Sequence, residues 1–424
     1  MDKNTAQAAK TAANTELDVA FCRGHFPALG GDWVFLENAG GTLVPDQVIA
    51  RLKQFTSDCQ VQPGEGYPAS DRGAARIAEG QAALAALINA EPGEIVIGPS
   101  TTANVYVLSH ALRPLLAPGD EIVVTNQDHE ANNGAWRKLE ATGIVLREWR
   151  MNAETEDLEI EDLLPLLGDK TKLVCFNHCS NIAGMFRDVK EIAAHVHEAG
   201  ALVCVDGVAA VPHRRVDVKA LDVDFYLYSP YKVFGPHLGV LYGRRDLLAL
   251  LANQSHYFLA EDDHQRRLCP GGYNYELTAA AGGIAEYLDQ VHAHHFPGAN
   301  LETQARLDQV FELFAGHERK LAQRIEDYLN ARADLRLVAR GAAGRRERIG
   351  VFAFTVEGRD SGEIATRLKA GKIGLHADDF YAARCIDALG LRERGGVLRA
   401  SLVHYNDAAD VDRLLGQLEE TLSS

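Results

Sequence analysis

The segment LVCVDGVAAVPHRRVDVKALDVDFYLYSPYKVFGP, residues 202–236, contains two apolar runs, each followed by polar groups. Asp206 ends the first run, and Ser229-Pro-Tyr-Lys232 follows the second. A continuous apolar run such as Ala201–Val205 is typical of a strand buried on both faces of a parallel sheet. Because ligands bind at the carboxyl ends of strands in open α/β sheets, the pattern places an acid and a lysine at a binding edge.

The chemistry of these two side chains suggests a cofactor. A lysine in an apolar setting loses its charge easily and can form a Schiff base with an aldehyde. A nearby carboxylate is the partner that the protonated pyridine nitrogen of pyridoxal 5′-phosphate (PLP) needs. An Asp-Gly pair after a strand is also common in α/β proteins, and Lys232 by itself is compatible with a solvated loop. The pair therefore suggests PLP, and the other motifs of the chain provide further evidence on the cofactor.

Length, charge and cysteine content limit the class of protein. The chain has 424 residues, more than one typical core, so two domains are expected. A formal net charge of −16 disfavours nucleic acid or an anionic membrane as a partner, since both need a basic surface. No apolar run is long enough to span a bilayer. The seven cysteines form no CxxC pair and the N-terminus has no apolar signal region, which predicts a reduced, cytoplasmic protein.

Strand-like and helix-like segments alternate between about 94 and 244, which predicts βαβ units and a mostly parallel sheet. The predicted strands are Glu94–Gly98, Glu121–Thr125, Ile144–Trp149, Leu173–Asn177, Ala201–Val205, Phe225–Tyr228 and Gly239–Tyr242. The predicted helices between them are 102–115, 158–167 and 187–199. Closed by a long helix at 275–293, this pattern predicts a large α/β domain over 36–293.

The remainder of the chain mixes strands and helices, which predicts a smaller α+β domain over 294–424. Its predicted helices are 301–332, 361–371 and 408–422, and its predicted strands are Leu335–Val338, Ile349–Val356 and Gly396–Val403. Alternation along a strand places side chains two apart on one face, and the predicted packing face is Phe352, Phe354, Val356, Leu335 and Leu402. The segment 1–35 is expected to pack on this domain, because chain termini often lie close together.

Polar residues follow several of the predicted strands. The motif Gly98-Pro-Ser-Thr-Thr-Ala-Asn104 opens a helix, where backbone N–H groups can bind an anion, although Ser and Thr are also ordinary N-caps. His129 follows a second strand and is suited to lie flat on an aromatic cofactor or to transfer a proton. Asn181 follows a third strand. Their convergence at one sheet edge is a stronger signal than any single residue.

Six short motifs occur in order along the chain: Thr101-Thr102, Asp128-His129, Ser180-Asn181, Asp206-Gly207, Ser229…Lys232 and Arg399-Ala-Ser-Leu402. This set resembles the fold-type I PLP enzymes of aminotransferase class V, and among them the cysteine desulfurase-like branch. The resemblance extends from about 35 to 420. It implies a PLP-dependent transferase fold and a homodimer with the active site at the interface.

The resemblance also implies site roles. Lys232 would hold PLP as a Schiff base and move the Cα proton, Asp206 would pair with the pyridine nitrogen, and His129 would stack on the ring; these three are the expected catalytic residues. The cofactor-binding residues implied are Thr101, Thr102, His129, Asn181, Asp206, Ser229, Tyr231 and Lys232. Arg399 would bind the substrate α-carboxylate, a task that suits its planar guanidinium. Asn38 and Tyr381 complete the expected substrate-binding set.

The chain departs from the cysteine desulfurase pattern in its reactive groups. Ala209 stands where the branch usually has Gln, Tyr231 stands in place of the usual His, and Gly272 replaces a Thr that reaches the partner's phosphate. The branch carries its sulfur-accepting Cys in the loop that corresponds to 374–382, which contains none here. Cys385 follows in a predicted helix, 382–389, where we expect it to be buried, whereas a persulfide needs an exposed thiolate.

Without that thiol, three reactions of an α-amino acid stay open: β-elimination, transamination and racemisation or epimerisation. The resemblance favours cysteine desulfurase-like or C–S lyase chemistry, with a class V aminotransferase or an amino-acid epimerase as alternatives. A non-catalytic PLP-binding partner protein is a further alternative, against which the retained Lys232 and Arg399 argue. No G-x-G-x-x-G motif supports a nicotinamide enzyme. The segment His292–His295 lacks a Cys or acid at ligand spacing, so we interpret it as a solvated helix end and expect no metal site.

Overall fold

The computed structural model describes residues 16–342 and 344–423; residues 1–15 of the predicted N-terminal segment lie outside them. The strands are β1 Val34–Phe35, β2 Ile95–Gly98, β3 Glu121–Thr125, β4 Val145–Trp149, β5 Thr171–Asn177, β6 Leu202–Asp206, β7 Phe225–Tyr228, β8 Gly239–Gly243, β9 Leu335–Leu337, β10 Val351–Val356, β11 Ile373–Gly374, β12 His376–Asp378 and β13 Val397–Ser401. The α-helices are α1 Val19–Arg23, α2 Asp46–Asp58, α3 Pro68–Ala86, α4 Thr101–Leu112, α5 Gly134–Arg137, α6 Ile160–Leu163, α7 Val189–Glu198, α8 Arg245–Leu250, α9 His264–Arg267, α10 Tyr275–His295, α11 Thr303–Ala331, α12 Ser361–Ala370, α13 Ala383–Ala388 and α14 Ala408–Ser423. Within the described ranges, no helix combines the length and apolar character that a membrane span needs.

A seven-stranded sheet forms the centre of the large domain, in the order β2-β8-β7-β6-β5-β3-β4. From β4 to β7 neighbouring strands are parallel, whereas β8 runs antiparallel to both β2 and β7. The prediction of a mostly parallel sheet is confirmed, and each predicted strand of this sheet is present to within two residues at either end.

Helices cover both faces of this sheet, which explains the continuous apolar runs. In β5, Val174 and Phe176 pack into one core cluster, while Leu173 and Cys175 pack into another on the opposite face. Side chains alternate across a strand, so a strand buried on both faces needs apolar residues at consecutive positions.

The parallel register brings the polar strand ends together. Asn177 at the end of β5 is the register partner of Asp206 at the end of β6. Gly207 follows Asp206 at a point where a Cβ atom would lie 2.0 Å from the Tyr226 ring, so a larger residue does not fit there. The close approach of that ring therefore accounts for the Asp-Gly pair in physical terms.

A second, four-stranded sheet has the order β12-β13-β10-β9, with antiparallel pairing throughout. The predicted packing face is confirmed, because Phe352, Phe354, Val356, Leu335 and Leu402 share one core cluster. Val34 and Leu36 join that cluster, and β1 pairs in parallel with β11. The domain limits 1–35, 36–293 and 294–424 stay predictions.

The interpretation of His292–His295 as a solvated helix end is wrong for its first residue. His292 is buried, and its Nε2 lies 2.9 Å from Oε1 of Gln309 on α11. His294 stacks on Phe21 of α1 with 3.9 Å between ring centroids. The last turn of α10 is thus packed between two other helices.

Candidate active site

A cavity opens at the carboxyl ends of the large-domain strands, with about 530 Å³ of free space when the solvent at its mouth is included. All eight side chains predicted to bind the cofactor line it: Thr101, Thr102, His129, Asn181, Asp206, Ser229, Tyr231 and Lys232.

One end of the cavity is built to receive an anion. Helix α4 begins there, with the Ser100 hydroxyl accepting a hydrogen bond from the Ala103 N–H at 3.1 Å. The hydroxyls of Thr101 and Ser229 lie 2.7 Å apart beside this helix start. At Gly239 of β8 a Cβ atom would lie 2.2 Å from the Ser100 carbonyl carbon, so glycine is required for this packing. Unpaired N–H groups and the helix dipole favour a phosphate at such a position.

Lys232 lies at the end of a short 3-10 turn, Pro230–Lys232, and its side chain is buried. Thr42 holds this turn in place, because its N–H and hydroxyl both donate to the Tyr231 carbonyl, at 3.0 and 3.2 Å. The Phe234 N–H in turn donates to the Thr42 hydroxyl at 2.8 Å. A segment near the start of the described chain therefore holds the backbone of Lys232 in place.

The surroundings of Lys232 disfavour its charged form. Burial and repulsion from Arg399 lower its pKa to about 8, against the attraction of Asp206. Burial raises the pKa of Asp206, which the Val208 N–H, donating at 2.9 Å, and the charge of Lys232 both counteract. A lysine that is readily neutral and a buried acid thus face one cavity, which fits the aldehyde and the pyridine nitrogen of PLP.

A second buried acid, Asp128, lies behind the first and was not singled out as a site residue from the sequence. Asn132 donates to one of its carboxylate oxygens at 3.0 Å, and Asn177 donates to the other. Burial first, and then repulsion from Asp206, raise the pKa of Asp128 to about 7. The only sequence signal for this role was its place directly before His129, after the end of β3.

The His129 ring is fixed and neutral. Its Nδ1 accepts a hydrogen bond from the Ala131 N–H at 3.0 Å. Burial, and then the positive charges of Lys232 and Arg399, lower the pKa of His129 to about 3. A neutral imidazole on the cavity wall is suited to lie against an aromatic ring without bringing in a charge.

Arg399 is a buried guanidinium that Glu37 and Asp378 attract from beyond ion-pair distance. It is 2% exposed, and burial lowers its pKa to about 10. Its Nη1 donates to the Asn181 carbonyl at 3.2 Å, and the Phe380 ring centroid lies 3.6 Å from its Cζ. Its Nε has no hydrogen-bond partner, and it pairs with no carboxylate in the described residues. Such a group fits the α-carboxylate of an amino acid.

The other two expected substrate residues have different surroundings: Tyr381 lies beside a residue of the cavity, whereas Asn38 does not. The Tyr381 ring lies 5.3 Å from the His129 ring between centroids, and the side chain is 73% exposed. Asn38 does not line the cavity. Its side-chain NH₂ group donates to the Ser401 carbonyl at 2.7 Å, and its side-chain oxygen accepts from the Tyr405 hydroxyl. Both ends of the amide are therefore hydrogen-bonded within the protein.

Every cysteine in the described residues is a free, buried thiol. Cys385 is confirmed as a helical, buried residue; it lies on α13, with its Sγ 3.8 Å from the Met151 sulfur. Cys179 lines the cavity and was not considered from the sequence, but it is only 2% exposed. Burial raises the pKa of both thiols, so neither is a ready thiolate.

Comparison with known proteins agrees with this geometry. The family model for aminotransferase class-V matches residues 34–258 and 302–414, well over half of the chain. The chain belongs to the class V aminotransferase family. It is 35% identical over 97% of its length to the whole of the aminotransferase-like protein FGM3 of Gibberella zeae. It is 33% identical to the cysteine desulfurase-like protein ustD of Aspergillus flavus, over 99% of this chain and 94% of that protein.

Solved structures show the same relationship. The cysteine desulfurase CsdA of Escherichia coli superposes with a TM-score of 0.81 at 27% identity, covering 96% of this chain and 98% of that one. Fold type I, dependence on PLP and the class V enzyme assignment therefore hold for this chain.

Proposed function

We propose that this PLP enzyme is a C–S lyase or cysteine desulfurase-like enzyme that eliminates the β-substituent of an α-amino acid without a protein persulfide. The observation that carries the proposal is a buried lysine in the cavity, Lys232, with the buried Arg399 close enough to lower its pKa, in a site that has no exposed thiol. The relatives named cysteine desulfurase or cysteine desulfurase-like support chemistry at Cβ.

Each residue then has a task in the reaction. Arg399 binds the α-carboxylate and so directs the Cα–H bond toward Lys232. The neutral amine of Lys232 takes the Cα proton at its Nζ, which its lowered pKa favours near pH 8. When bound, PLP supplies a ring that accepts the electron pair left at Cα. Asp206 holds a proton on the ring nitrogen, and His129 covers the ring and excludes water.

The persulfide route needs an exposed thiolate beside the substrate sulfur, and neither candidate thiol offers one. Cys385 is buried behind Met151, and the Cys179 side chain is almost completely covered. Elimination needs only the base, the electron acceptor and the carboxylate clamp. Lys232 supplies the base at the cavity, and Arg399, bonded to the carbonyl of the cavity-lining Asn181, supplies the clamp.

The test is a product assay on the PLP-loaded protein with L-cysteine, L-cysteine sulfinate, S-methyl-L-cysteine and β-chloro-L-alanine. We expect pyruvate and ammonia from at least one of them, with no loss in Cys385→Ser or Cys179→Ala and complete loss in Lys232→Ala. Release of sulfur that depends on Cys385 or Cys179 would contradict the persulfide-free route. Bound PLP with no reaction on any amino acid would favour a non-catalytic partner protein.

Transamination is the second candidate, because a relative that this chain matches end to end is named aminotransferase-like. The same base and clamp serve that reaction, and epimerisation as well. Transfer of the amino group to an added 2-keto acid, without ammonia release, would identify transamination. Loss of optical rotation without any new product would identify an epimerase.

We also propose that the active protein is a cytoplasmic homodimer with the active site at the subunit interface. Tyr257 and Phe258 are 94% and 70% exposed on one loop, as expected of side chains that a second copy covers. The free, buried cysteines agree with a reducing compartment. Light scattering should give twice the mass of one chain, and Phe258→Lys should lower that mass if this loop lies in the interface.

A further inference from the structure

The turn that replaces the cysteine loop has an unusual backbone. Phe380 and Tyr381 both adopt left-handed conformations, with φ of 51° and 58°. Residues with a side chain disfavour this region, and two in succession persist only when surrounding contacts hold them. Strain of this kind concentrates at functional sites, where surrounding contacts maintain it.

Two loops of the large domain hold the turn in place. The Asn181 side chain donates to the Phe380 carbonyl at 3.1 Å, and the Glu130 N–H donates to the Tyr381 carbonyl at 2.7 Å. The Phe380 ring also stacks on the Arg399 guanidinium, at 3.6 Å from ring centroid to Cζ. The turn is therefore bonded directly to the loops that carry His129 and Asn181.

This anchoring determines where the Tyr381 side chain lies. Its ring is inclined by 33° to the His129 ring, at 5.3 Å between centroids, and it remains 73% exposed. The phenol thus lies beside His129, which lines the cavity, and in contact with water. No protein group in the described residues is shown bonded to its hydroxyl.

We propose that the Tyr381 hydroxyl is the general acid that protonates the β-leaving group. This inference rests on the proposed elimination. Lys232 takes the Cα proton, the electron pair at Cα forms the Cα–Cβ double bond, and the Cβ–X bond breaks with its pair on X. The Tyr381 O–H bond then gives its proton to X, water reprotonates the phenolate, and the hydroxide that remains takes the proton from Lys232. Hydrolysis of the released enamine by water gives the 2-keto acid and ammonia.

The proton has to come from a group near Cβ that can recover it from solvent. Lys232 carries the Cα proton at this stage and is the competing donor, against which the comparison of the two substrates tests Tyr381. Tyr381 is exposed enough to exchange protons with water, and its position is fixed by the anchored turn. A strongly basic thiolate leaves poorly without a proton, whereas chloride needs none, so the role depends on the leaving group.

The experiment compares two substrates in Tyr381→Phe, with Tyr328→Phe as the control. Tyr328 is a tyrosine outside the site, and its hydroxyl donates to Glu419 on the small-domain side. Pyruvate release is measured from S-methyl-L-cysteine, whose leaving group needs a proton, and from β-chloro-L-alanine. We expect Tyr381→Phe to lower kcat/KM about 100-fold for the first and less than about 3-fold for the second. Tyr328→Phe should change neither.

A separate readout tests whether Tyr381→Phe leaves the site intact: titration of PLP by absorbance should give the same affinity as the wild type. Equal losses on both substrates, or no loss on either, would overturn the role of Tyr381 while leaving the elimination in place. Wild-type protein that releases pyruvate from neither substrate would overturn the proposed function, and this inference with it.

Discussion

Lys232 shows how the environment of one residue prepares it for its chemistry. Burial and the charge of Arg399 oppose protonation and bring its pKa to about 8, although Asp206 attracts the ammonium. An exposed lysine, by comparison, titrates near pH 10.4. The reactive amine is therefore available near neutrality because the protein excludes water from it.

This lowered pKa makes a prediction for cofactor capture. Only the neutral amine attacks an aldehyde, so the rate at which PLP-free protein binds PLP covalently should rise with pH and level off above about pH 8. Stopped-flow absorbance at saturating PLP between pH 6.5 and 10.5 measures this rate. A rate that still rises steeply between pH 9 and 10.5 would mean that the amine titrates as an ordinary lysine.

Arg399 makes a prediction for substrate binding. Replacement by Gln keeps a planar polar group but removes the charge, and a hydrogen bond to a charged group contributes about 1.5–3 kcal/mol. We expect KM for the amino acid to rise roughly 10- to 100-fold, with the larger effect on KM than on kcat. Steady-state kinetics measures both. Arg324→Gln is the control, since that arginine pairs with Asp412 at the surface; a loss confined to kcat would contradict the clamp.

At the scale of elements, the close approach of β8 to the start of α4 determines the geometry of the end of the cavity that is suited to a phosphate. Gly239→Ala would place a Cβ atom 2.2 Å from the Ser100 carbonyl carbon, so one backbone has to move. We expect PLP affinity to fall at least about tenfold, because the N–H groups no longer converge on one phosphate. Gly316→Ala is the matched control.

Gly316 lies within α11, and among the described residues no atom beyond the adjoining turns of its own helix lies within 4 Å of its would-be Cβ. Alanine there should leave PLP affinity unchanged and stabilise the protein by about 0.5–1 kcal/mol, since glycine costs a helix that much. Fluorescence titration and thermal unfolding of the two variants test the contrast. Similar PLP affinities in both variants would show that β8 does not shape the site.

The elements that could be predicted are those with a long periodic pattern. The run Phe225–Tyr228 is apolar at each position because both faces are covered, so its bounds were visible in the sequence. The short β12 was not predicted, because three residues, His376–Asp378, give no periodicity; pairing with β13 makes it a strand. The antiparallel direction of β8 was equally hidden, since an apolar run is the same in either direction.

Site residues that directly follow a strand could be predicted from the sequence, whereas those whose neighbours lie far along the chain could not. Strand ends are visible in a sequence, and the eight predicted cofactor residues meet at one cavity for that reason. Asn38 was placed in the substrate set by resemblance, but its surroundings come from strand β13 and the residues after it, far along the chain. The left-handed turn that presents Tyr381 depends on contacts with two distant loops, which no local pattern records.

At the scale of the whole molecule, a buried ion network links the two core regions. Asp157 accepts from Arg187 at 2.6 Å and from Arg346 at 2.7 Å, and both side chains of the Arg187–Asp157 pair are at most 1% exposed. Arg187 also donates to Asn177, which in turn donates to Asp128. The network thus runs from the segment before β10 to the amide that holds the second acid of the site.

Asp157→Asn should therefore destabilise the protein strongly. The substitution keeps the shape of the side chain but leaves two guanidinium groups without their shared negative charge, one of them fully buried. Breaking a buried pair in this way costs about 3–5 kcal/mol. The midpoint of urea unfolding, followed by circular dichroism on the PLP-loaded protein, measures the loss.

Glu16→Gln provides the comparison, because the Lys320–Glu16 pair is 64% and 81% exposed and such pairs contribute at most about 1 kcal/mol. An Asp157→Asn midpoint as close to the wild type as that of Glu16→Gln would show that water reaches the buried guanidinium groups. Because Asn177 joins this network to Asp128, the same variant should weaken PLP binding before global unfolding. Loss of the PLP absorbance band should then precede loss of helical signal in the urea titration, whereas in Glu16→Gln the two should coincide.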